Sequence, residues 1–280
     1  MWTEHRFISF DETPIFYRRL KPPSPARGIV ILLHGLGEHG GRYAHVGSFL
    51  AENGLESVAP DLRGFGKSGG SKGSVRHFSD YHKDLFILHS YIVRNHRALP
   101  IFLLGHSFGG LIASSYLAFH ENAQTTGLIL SSPLFGISIH VPQWRYLLGI
   151  LASYLVPDFS QSSRVRPTFL THDEAILADY LKDPYIYQRI SARLFREMVR
   201  MIAKRNQIAH RISVPTLIVQ AGEDYVVSKD ETTRFFNLLK IKDKELTVYD
   251  HFYHEILNEV GREKVISRIN AWINMHLCGN

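Results

Sequence analysis

The sequence predicts an α/β fold in which a mostly parallel central sheet is flanked by helices and interrupted by one helical insertion. Two observations support this class. Short, continuous apolar runs, typical of strands buried on both faces, recur along the chain, and helical patterns with one apolar face separate several of them. Strands that alternate with helices favour parallel pairing, because each helix returns the chain across a face of the sheet.

The strands are predicted in the following order. Residues 5–10 and 14–18 flank Asp11 and Glu12 and form a hairpin at an edge of the sheet. The further strands are predicted at residues 28–33, 55–59, 101–104, 128–130, 216–219 and 246–249. Helices are predicted at residues 42–53, at an apolar face made of Tyr81, Leu85, Leu88 and Ile92, and at another made of Val265, Ile269, Trp272 and Ile273.

The alternation stops once, between residues 132 and 215, where the sequence shows no run typical of a strand. We interpret this interval as an inserted helical module. Thr171, with Glu174 three residues later, and Ser191 are predicted helix N-caps. Leu194, Met198 and Ile202 then lie on one face of the second helix.

The first part of this insertion, residues 141–159, is more apolar than one buried helix face requires. Its large apolar residues include Trp144, Tyr146, Leu147, Leu148, Ile150, Leu151, Tyr154 and Leu155. One interpretation is a helix packed on the main domain. The other is the wall of a pocket for an apolar substrate, or a surface that contacts lipid.

Composition excludes several classes of protein. The 280 residues are 45% hydrophobic and 21% charged, as in an ordinary globular protein. The single cysteine, Cys278, excludes an intramolecular disulfide and a Cys-rich metal site. Residues 146–157 form the longest lipid-like stretch, which is too short to span a bilayer, and no signal peptide is recognised, so we expect a soluble, cytoplasmic protein. A net charge of +6 without a basic block disfavours nucleic acid as a partner and is compatible with peripheral contact at a membrane.

Two glycine-rich segments match the pattern G-x-G-x-x-G. The segment at residues 64–69 is interpreted as a turn, because no helix begins on it. The segment at residues 35–40 follows a strand, and Asp61 follows the next strand, as a dinucleotide site would require. The same loop, with His34 in front of it, could instead direct a backbone N–H at a developing oxyanion. The two interpretations need different residues downstream.

The strongest motif is Gly105-His-Ser107-Phe-Gly109, which joins a predicted strand to a helical pattern. A serine on such a tight turn exposes its hydroxyl, and small residues two positions before and after it avoid collisions. The N-terminus of the helix adds backbone donors and a favourable dipole. This pattern predicts that Ser107 is a nucleophile.

A serine nucleophile needs a histidine base and an orienting carboxylate, expected in the order Ser, acid, His. Asp224 follows a later strand and is the preferred acid, with Glu223 and Asp250 as alternatives. The base is His254 or His251, which the residues alone do not separate. His254 and Glu255 are not followed by a second histidine at the spacing of zinc proteases, so metal catalysis is not expected.

These residues resemble the α/β-hydrolase fold, and more narrowly the monoacylglycerol lipase and lysophospholipase-like serine hydrolases. The matching segments are His34-Gly-Leu-Gly-Glu-His-Gly-Gly-Arg-Tyr43, Asp61-Leu-Arg-Gly-Phe-Gly-Lys-Ser68, Gly105-His-Ser-Phe-Gly-Gly110, Gly222-Glu-Asp224-Tyr-Val-Val227 and Tyr253-His-Glu-Ile256. They span most of the chain. His251 departs from the pattern, because relatives often have glycine there.

The resemblance implies a catalytic triad of Ser107, Asp224 and His254, and an oxyanion hole formed by the backbone N–H groups of Leu36 and Phe108. It also implies a hydrolase core at residues 1–133 and 206–280, with a helical cap at residues 134–205 that receives an acyl chain.

The activity that the resemblance implies is hydrolysis of monoacylglycerol to fatty acid and glycerol, without a metal or cofactor. A lysophospholipase, a broad carboxylesterase and an aminopeptidase are the alternatives within the same fold. From other classes, a dinucleotide-binding oxidoreductase leaves all three triad residues unexplained, and a catalytically dead binding module would be expected to lack one of them.

Overall fold

The computed structural model describes residues 2–96, 99–120, 124–138, 143–163 and 165–277. Cys278 and the first residues of the apolar segment that begins at Val141 lie outside these ranges, as does the side chain of Tyr146. The statements below refer to the described residues.

The strands are β1 (Thr3–Ile8), β2 (Pro14–Leu20), β3 (Gly28–Leu33), β4 (Leu55–Pro60), β5 (Ile101–His106), β6 (Gly127–Ser131), β7 (Ser160–Ser162), β8 (Arg189–Ser191), β9 (Thr216–Ala221) and β10 (Lys244–Tyr249). The α-helices are α1 (Ala44–Glu52), α2 (Ser79–Asn95), α3 (Phe108–Phe119), α4 (Gln143–Leu155), α5 (Glu174–Lys182), α6 (Ala192–Ala203), α7 (Arg205–Arg211), α8 (Lys229–Leu238) and α9 (Arg262–Leu277).

Eight of these strands form one sheet in the order β1-β2-β4-β3-β5-β6-β9-β10. The hairpin of β1 and β2 lies at one edge and pairs antiparallel to β4, and all other neighbours are parallel. The predicted mostly parallel sheet and edge hairpin are therefore confirmed. Because parallel strands end at the same edge, the loops after β3, β5, β9 and β10 lie close together.

Helices cover both faces of the sheet, because alternate residues of each buried strand point to opposite sides. On one face, Val30 and Leu32 pack in a cluster with α1 and with Trp272 of α9. On the other face, Ile29 and Ile31 pack in a larger cluster with α2, α3, α6, α7 and α8. The strands that carry the site loops are therefore buried in apolar clusters on both faces of the sheet.

The insertion after β6 differs from the prediction in two details. It contains a small antiparallel sheet of β7 and β8, three residues each, which are too short to produce a recognisable sequence pattern. Thr171 does not cap a helix: the N-cap of α5 is Asp173, whose carboxylate accepts bonds from two backbone N–H groups. Ser191 does cap α6, as predicted, and accepts a bond from the Leu194 N–H.

Helix α4 does not bury its apolar side chains in the main domain. It packs on α6 within the insertion and leaves more than half of several large side chains exposed. These side chains are Trp144, Leu147, Leu148, Leu151, Tyr154 and Leu155, here called the α4 patch. The interpretation of this segment as a helix packed on the main domain is therefore wrong. No helix in the described ranges is both long and apolar enough to cross a membrane.

Candidate active site

Ser107 lies on the tight turn between β5 and α3. Its backbone has φ of 52° and ψ of −114°, a region that L-residues rarely adopt. A Cβ atom on Gly105 would lie 2.5 Å from the Gly109 carbonyl oxygen, and one on Gly109 would lie 2.2 Å from the carbonyl oxygen of Leu33. The spacing of the motif is thus a steric requirement of this turn.

The structure brings Ser107, His254 and Asp224 together from three loops. Ser107 Oγ lies 2.9 Å from His254 Nε2, and His254 Nδ1 lies 2.9 Å from Asp224 Oδ2. The other carboxylate oxygen of Asp224 accepts bonds from the N–H groups of Val226 and Val227, at 2.9 and 2.8 Å. This chain of bonds orients the imidazole with its Nε2 lone pair toward the serine hydroxyl.

Asp224 and His254 each shift the pKa of the other. Burial by itself would lower the pKa of His254, but the carboxylates of Asp224, Glu255 and Glu38, with Asp224 foremost, together raise the pKa above its ordinary value. Burial would raise the pKa of Asp224, but His254 and the two backbone donors lower it instead. Asp224 is therefore a carboxylate at neutral pH, and His254 can hold a proton taken from a hydroxyl group.

The alternative acid and base residues lie elsewhere. His251 and Glu223 pair with each other, at 2.8 Å between Nδ1 and Oε1, and both are exposed. Asp250 is exposed at the end of β10. His251 has φ of 62°, which explains why glycine suits this position in relatives. The geometry therefore favours Asp224 and His254 over these three residues.

The glycine-rich loop after β3 lies against Ser107. A Cβ atom on Gly35 would be 3.5 Å from that of Ser107. His34 anchors the loop, because Nδ1 donates to the Gly35 carbonyl at 2.7 Å and Nε2 accepts from the Leu62 N–H at 2.8 Å. Phe108 is the first residue of α3, where N–H groups have no partner within the helix. Gly35, which precedes Leu36, and Phe108 therefore lie beside Ser107, and the oxyanion hole formed by the N–H groups of Leu36 and Phe108 stays a prediction.

The geometry argues against a dinucleotide in this loop. Asp61, which would have to bind a ribose hydroxyl, is fully buried. Its carboxylate accepts bonds from the N–H groups of Gly40 and Lys67, at 2.9 and 2.8 Å, and from Arg18 at 2.6 Å. Asp61 therefore holds the chain together at the end of β4.

The insertion contacts the loops of this site directly. The Tyr187 N–H donates to the Gly37 carbonyl at 2.8 Å, and His39 Nε2 lies 2.8 Å from Asp183 Oδ2. On the other side, the Glu255 N–H donates to the Leu170 carbonyl at 2.8 Å. Residues 167–188, here called the α5 segment, therefore contact both the glycine-rich loop and the loop that carries His254.

Sequence reasoning missed three charged residues behind the triad, Glu38, Arg42 and Glu255, which form buried ion pairs. All three lie in the segments that carry the family resemblance, yet no chemical pattern distinguishes them there from surface charges. Across the described ranges, no cluster of three or more His, Cys, Asp or Glu side chains is arranged to hold a metal ion.

Comparisons with known proteins agree with this architecture. The family model described as "Hydrolase_4: Serine aminopeptidase, S33" matches residues 24–261. A monoacylglycerol lipase of Mycolicibacterium smegmatis is 29% identical over 98% of this chain and 98% of its own length. An uncharacterized abhydrolase domain-containing protein of Dictyostelium discoideum is 30% identical over 95% of this chain, which spans only 28% of that relative's length.

Among solved structures, the monoacylglycerol lipase of Paleococcus ferrophilus superposes with a TM-score of 0.86 at 28% identity. The match covers 94% of this chain and 99% of that one. The predicted α/β-hydrolase fold and the predicted family are thereby confirmed. The chain belongs to this serine hydrolase family, and it is a serine ester hydrolase with the α/β-hydrolase fold.

Proposed function

We propose that the chain hydrolyses carboxylic esters of single-chain lipids, with monoacylglycerol as the first candidate, to give a fatty acid and glycerol. The observation that carries this proposal is the hydrogen-bonded chain from Ser107 Oγ through His254 to Asp224 Oδ2, in which both donor–acceptor distances are 2.9 Å. Lipid ester hydrolysis in general agrees with the family and the relatives, and the choice of monoacylglycerol is our inference from them.

In the proposed mechanism, His254 takes the proton of Ser107 as its oxygen attacks the ester carbonyl. The N–H groups of Leu36 and Phe108 stabilise the oxyanion, each contributing about a hundredfold to a thousandfold in rate. The alcohol leaves with the proton from His254. Water then attacks the acyl-serine, with His254 again as the base, and the fatty acid departs. Asp224 stays ionised and stabilises the imidazolium throughout.

We further propose that residues 134–205 act as a cap on a core made of residues 1–133 and 206–280. The α5 segment supports this assignment, because its backbone is hydrogen-bonded to the glycine-rich loop and to the loop that carries His254. The α4 patch offers apolar side chains at the outer side of the same insertion. We propose that this patch contacts lipid at a membrane surface, because an exposed apolar helix face with cationic side chains beside it partitions there, and Arg196 and Arg200 both contact Tyr154 of the patch.

An aminopeptidase is the second candidate, because the matching family model carries that description. Such an enzyme needs a carboxylate that faces the α-amine of its substrate. Two carboxylates near the site, Glu38 and Glu255, are buried and both bind Arg42, so neither is available to an amine. This arrangement favours a neutral ester over a charged amine.

The test is a comparison of substrates with wild type and Ser107→Ala. We expect hydrolysis of medium-chain and long-chain monoacylglycerols, slower release from lysophosphatidylcholine, and little cleavage of aminoacyl anilides. Ser107→Ala is expected to lose at least about a thousandfold in kcat, since the nucleophile is removed. A mutant as active as wild type would contradict the mechanism, and preference for the anilide would contradict the substrate class.

A further inference from the structure

A buried ion cluster lies behind the triad, made of Glu38, Arg42, Tyr43 and Glu255 and here called the Arg42 cluster. Arg42 Nη1 lies 2.6 Å from Glu38 Oε2 and 2.7 Å from Glu255 Oε1, and Nη2 lies 2.7 Å from Glu255 Oε2. The exposed fraction of the three charged side chains is between 4% and 8%. One guanidinium therefore bridges two carboxylates out of contact with solvent.

The first carboxylate holds the glycine-rich loop. Glu38 Oε1 accepts a bond from the Gly35 N–H at 2.6 Å and another from the Tyr43 hydroxyl at 2.6 Å. Gly35 directly precedes Leu36, whose N–H is proposed to bind the oxyanion. The position of the Leu36 peptide therefore depends on where Arg42 holds Glu38.

The second carboxylate holds the loop of the base. Glu255 directly follows His254. Its carboxylate accepts two hydrogen bonds from the guanidinium of Arg42 and a third from Asn258 Nδ2 at 3.1 Å. Arg42 and Glu255 are separated by 213 positions in the chain. Arg42 is thus a direct bridge between the loop of the base and the loop of the oxyanion.

Stability alone is a poor explanation for this cluster. Burial of three charges costs several kcal/mol for each ion, and comparable apolar packing is often as stable. A planar guanidinium, unlike an ammonium group, can bind one carboxylate through two bonds while it binds a second. The feature that specifically needs arginine is the fixed spacing between the two loops.

We propose that Arg42 is a positioning residue for the acyl-transfer reaction, and that it fixes the Leu36 N–H relative to His254 through Glu38 and Glu255. This inference rests on the proposed function, since it assumes that Ser107 is acylated. The α5 segment completes the arrangement, because the ring of Tyr180 lies 4.8 Å from the guanidinium carbon of Arg42.

The cluster also bears on the charge of His254. The titratable or charged groups around this imidazole are Asp224, His106, Glu38, Glu255 and Arg42. Burial holds the pKa of His106 down to about 4, so His106 adds no charge at neutral pH. Glu38 and Glu255 both raise the pKa of His254. Arg42 is paired with both carboxylates, and a positive charge beside them opposes their effect on a nearby imidazole. Loss of Arg42 should therefore raise the pKa of His254 further.

The experiment measures p-nitrophenyl butyrate hydrolysis by wild type, Arg42→Lys and Arg42→Met, with active sites counted by a fluorophosphonate probe. We expect kcat to fall about tenfold to a hundredfold in both variants with KM changed less than about threefold, because a displaced oxyanion donor acts in the transition state. In Arg42→Met, the acid limb of kcat/KM should move to higher pH, since two carboxylates lose their counter-charge.

Two further variants separate position from charge and from stability. Arg42→Met/Glu255→Gln restores the net charge, so its acid limb should return toward that of wild type while kcat stays low. The matched control is Arg63→Met, which removes a comparably buried arginine that pairs with Asp84 and Asp11. This control should lower the free energy of unfolding without changing kcat for each labelled site.

The outcomes are decisive for both proposals. Wild-type kcat in both Arg42→Lys and Glu255→Gln would overturn the positioning role, and these conservative variants serve if Arg42→Met does not fold. An equal fall of kcat in Arg63→Met would also overturn it, because the effect would then be one of stability. Wild type that neither hydrolyses the ester nor reacts with the probe would instead overturn the proposed function.

Discussion

The two parts of the insertion contrast in how they meet the rest of the protein. Helix α4 packs on α6 and leaves the α4 patch in solvent. The α5 segment is bonded through its backbone and its side chains to the glycine-rich loop and to the loop of His254. One part therefore faces the environment, while the other belongs to the framework of the site.

The junction at Glu259 shows this contrast most clearly. Its buried carboxylate accepts bonds from the N–H groups of His172, Tyr253 and Val260, at 2.9, 3.1 and 2.7 Å. It also accepts a bond from the Thr171 hydroxyl at 3.2 Å and lies 3.0 Å from His172 Nδ1. A single side chain thus ties the α5 segment to the residues around the base. The lesson is that an insertion in sequence need not be a separate unit in structure.

The largest effect is expected for Glu259→Ala. It leaves several buried N–H groups unpaired, so the free energy of unfolding should fall by about 3 kcal/mol and kcat on a soluble ester by about tenfold. Urea unfolding and active-site titration measure the two quantities. The control is Glu197→Ala, in which a buried glutamate of α6 loses its bond to the Phe78 N–H. If Glu197→Ala lowers kcat equally, the special role of the α5 segment is contradicted.

An intermediate effect is expected when the α4 patch is made polar. Replacing Leu147, Leu148, Leu151 and Leu155 by glutamine should lower kcat/KM on monoacylglycerol in vesicles about tenfold, because apolar contact with lipid is lost. Activity on p-nitrophenyl butyrate should change less than about twofold. Glutamine at Ile8 and Met275, which are equally exposed elsewhere, provides the control. Equal losses on both substrates would mean that α4 also supports the catalytic framework.

The smallest effects are expected at two aspartates, the partly buried Asp173 of the α5 segment and the exposed Asp158 after α4. Asp173→Ala removes the N-cap of α5 and a 2.8 Å ion pair with Arg262, and should cost about 1–2 kcal/mol of unfolding free energy. Asp158, which follows α4, has an exposed side chain that forms an ion pair with Arg193. Asp158→Ala removes this pair and should lower the free energy of unfolding by less than about 0.5 kcal/mol. Thermal unfolding at neutral pH measures both losses. A larger loss for Asp158→Ala than for Asp173→Ala would contradict the contrast between the α4 region and the α5 segment.

The parts of the molecule that could be predicted from sequence are those with local causes. The buried strands are recognisable in the sequence as apolar runs, and the turn at Ser107 requires glycines at fixed positions. The edge hairpin follows from two short runs around Asp11 and Glu12. The choice between His251 and His254 depended on the resemblance, because both follow β10 and only the folded chain shows which one faces Ser107.

The remainder could not be predicted because it depends on contacts between distant residues. Thr171 has the sequence of an N-cap, yet its hydroxyl is bonded to Asn258 and Glu259 of the loop after β10, and Asp173 caps the helix instead. The α4 patch has the composition of a buried segment, and only the fold shows that more than half of each of its side chains is exposed. The bridge that Arg42 makes between Glu38 and Glu255 likewise cannot be predicted from sequence, because its residues are far apart in the chain.

The backbone bond from Tyr187 to Gly37 has a consequence for exchanging caps between hydrolases. Because it involves no side chain, any residue other than proline at position 187 can donate it, provided that the chain passes the glycine-rich loop at the same place. A donor cap grafted at the outer boundaries of the insertion would have to recreate this passage. A graft limited to α4 and the residues up to β7 would leave this bond untouched, so the α4 patch could be exchanged without breaking the contact between the insertion and the glycine-rich loop.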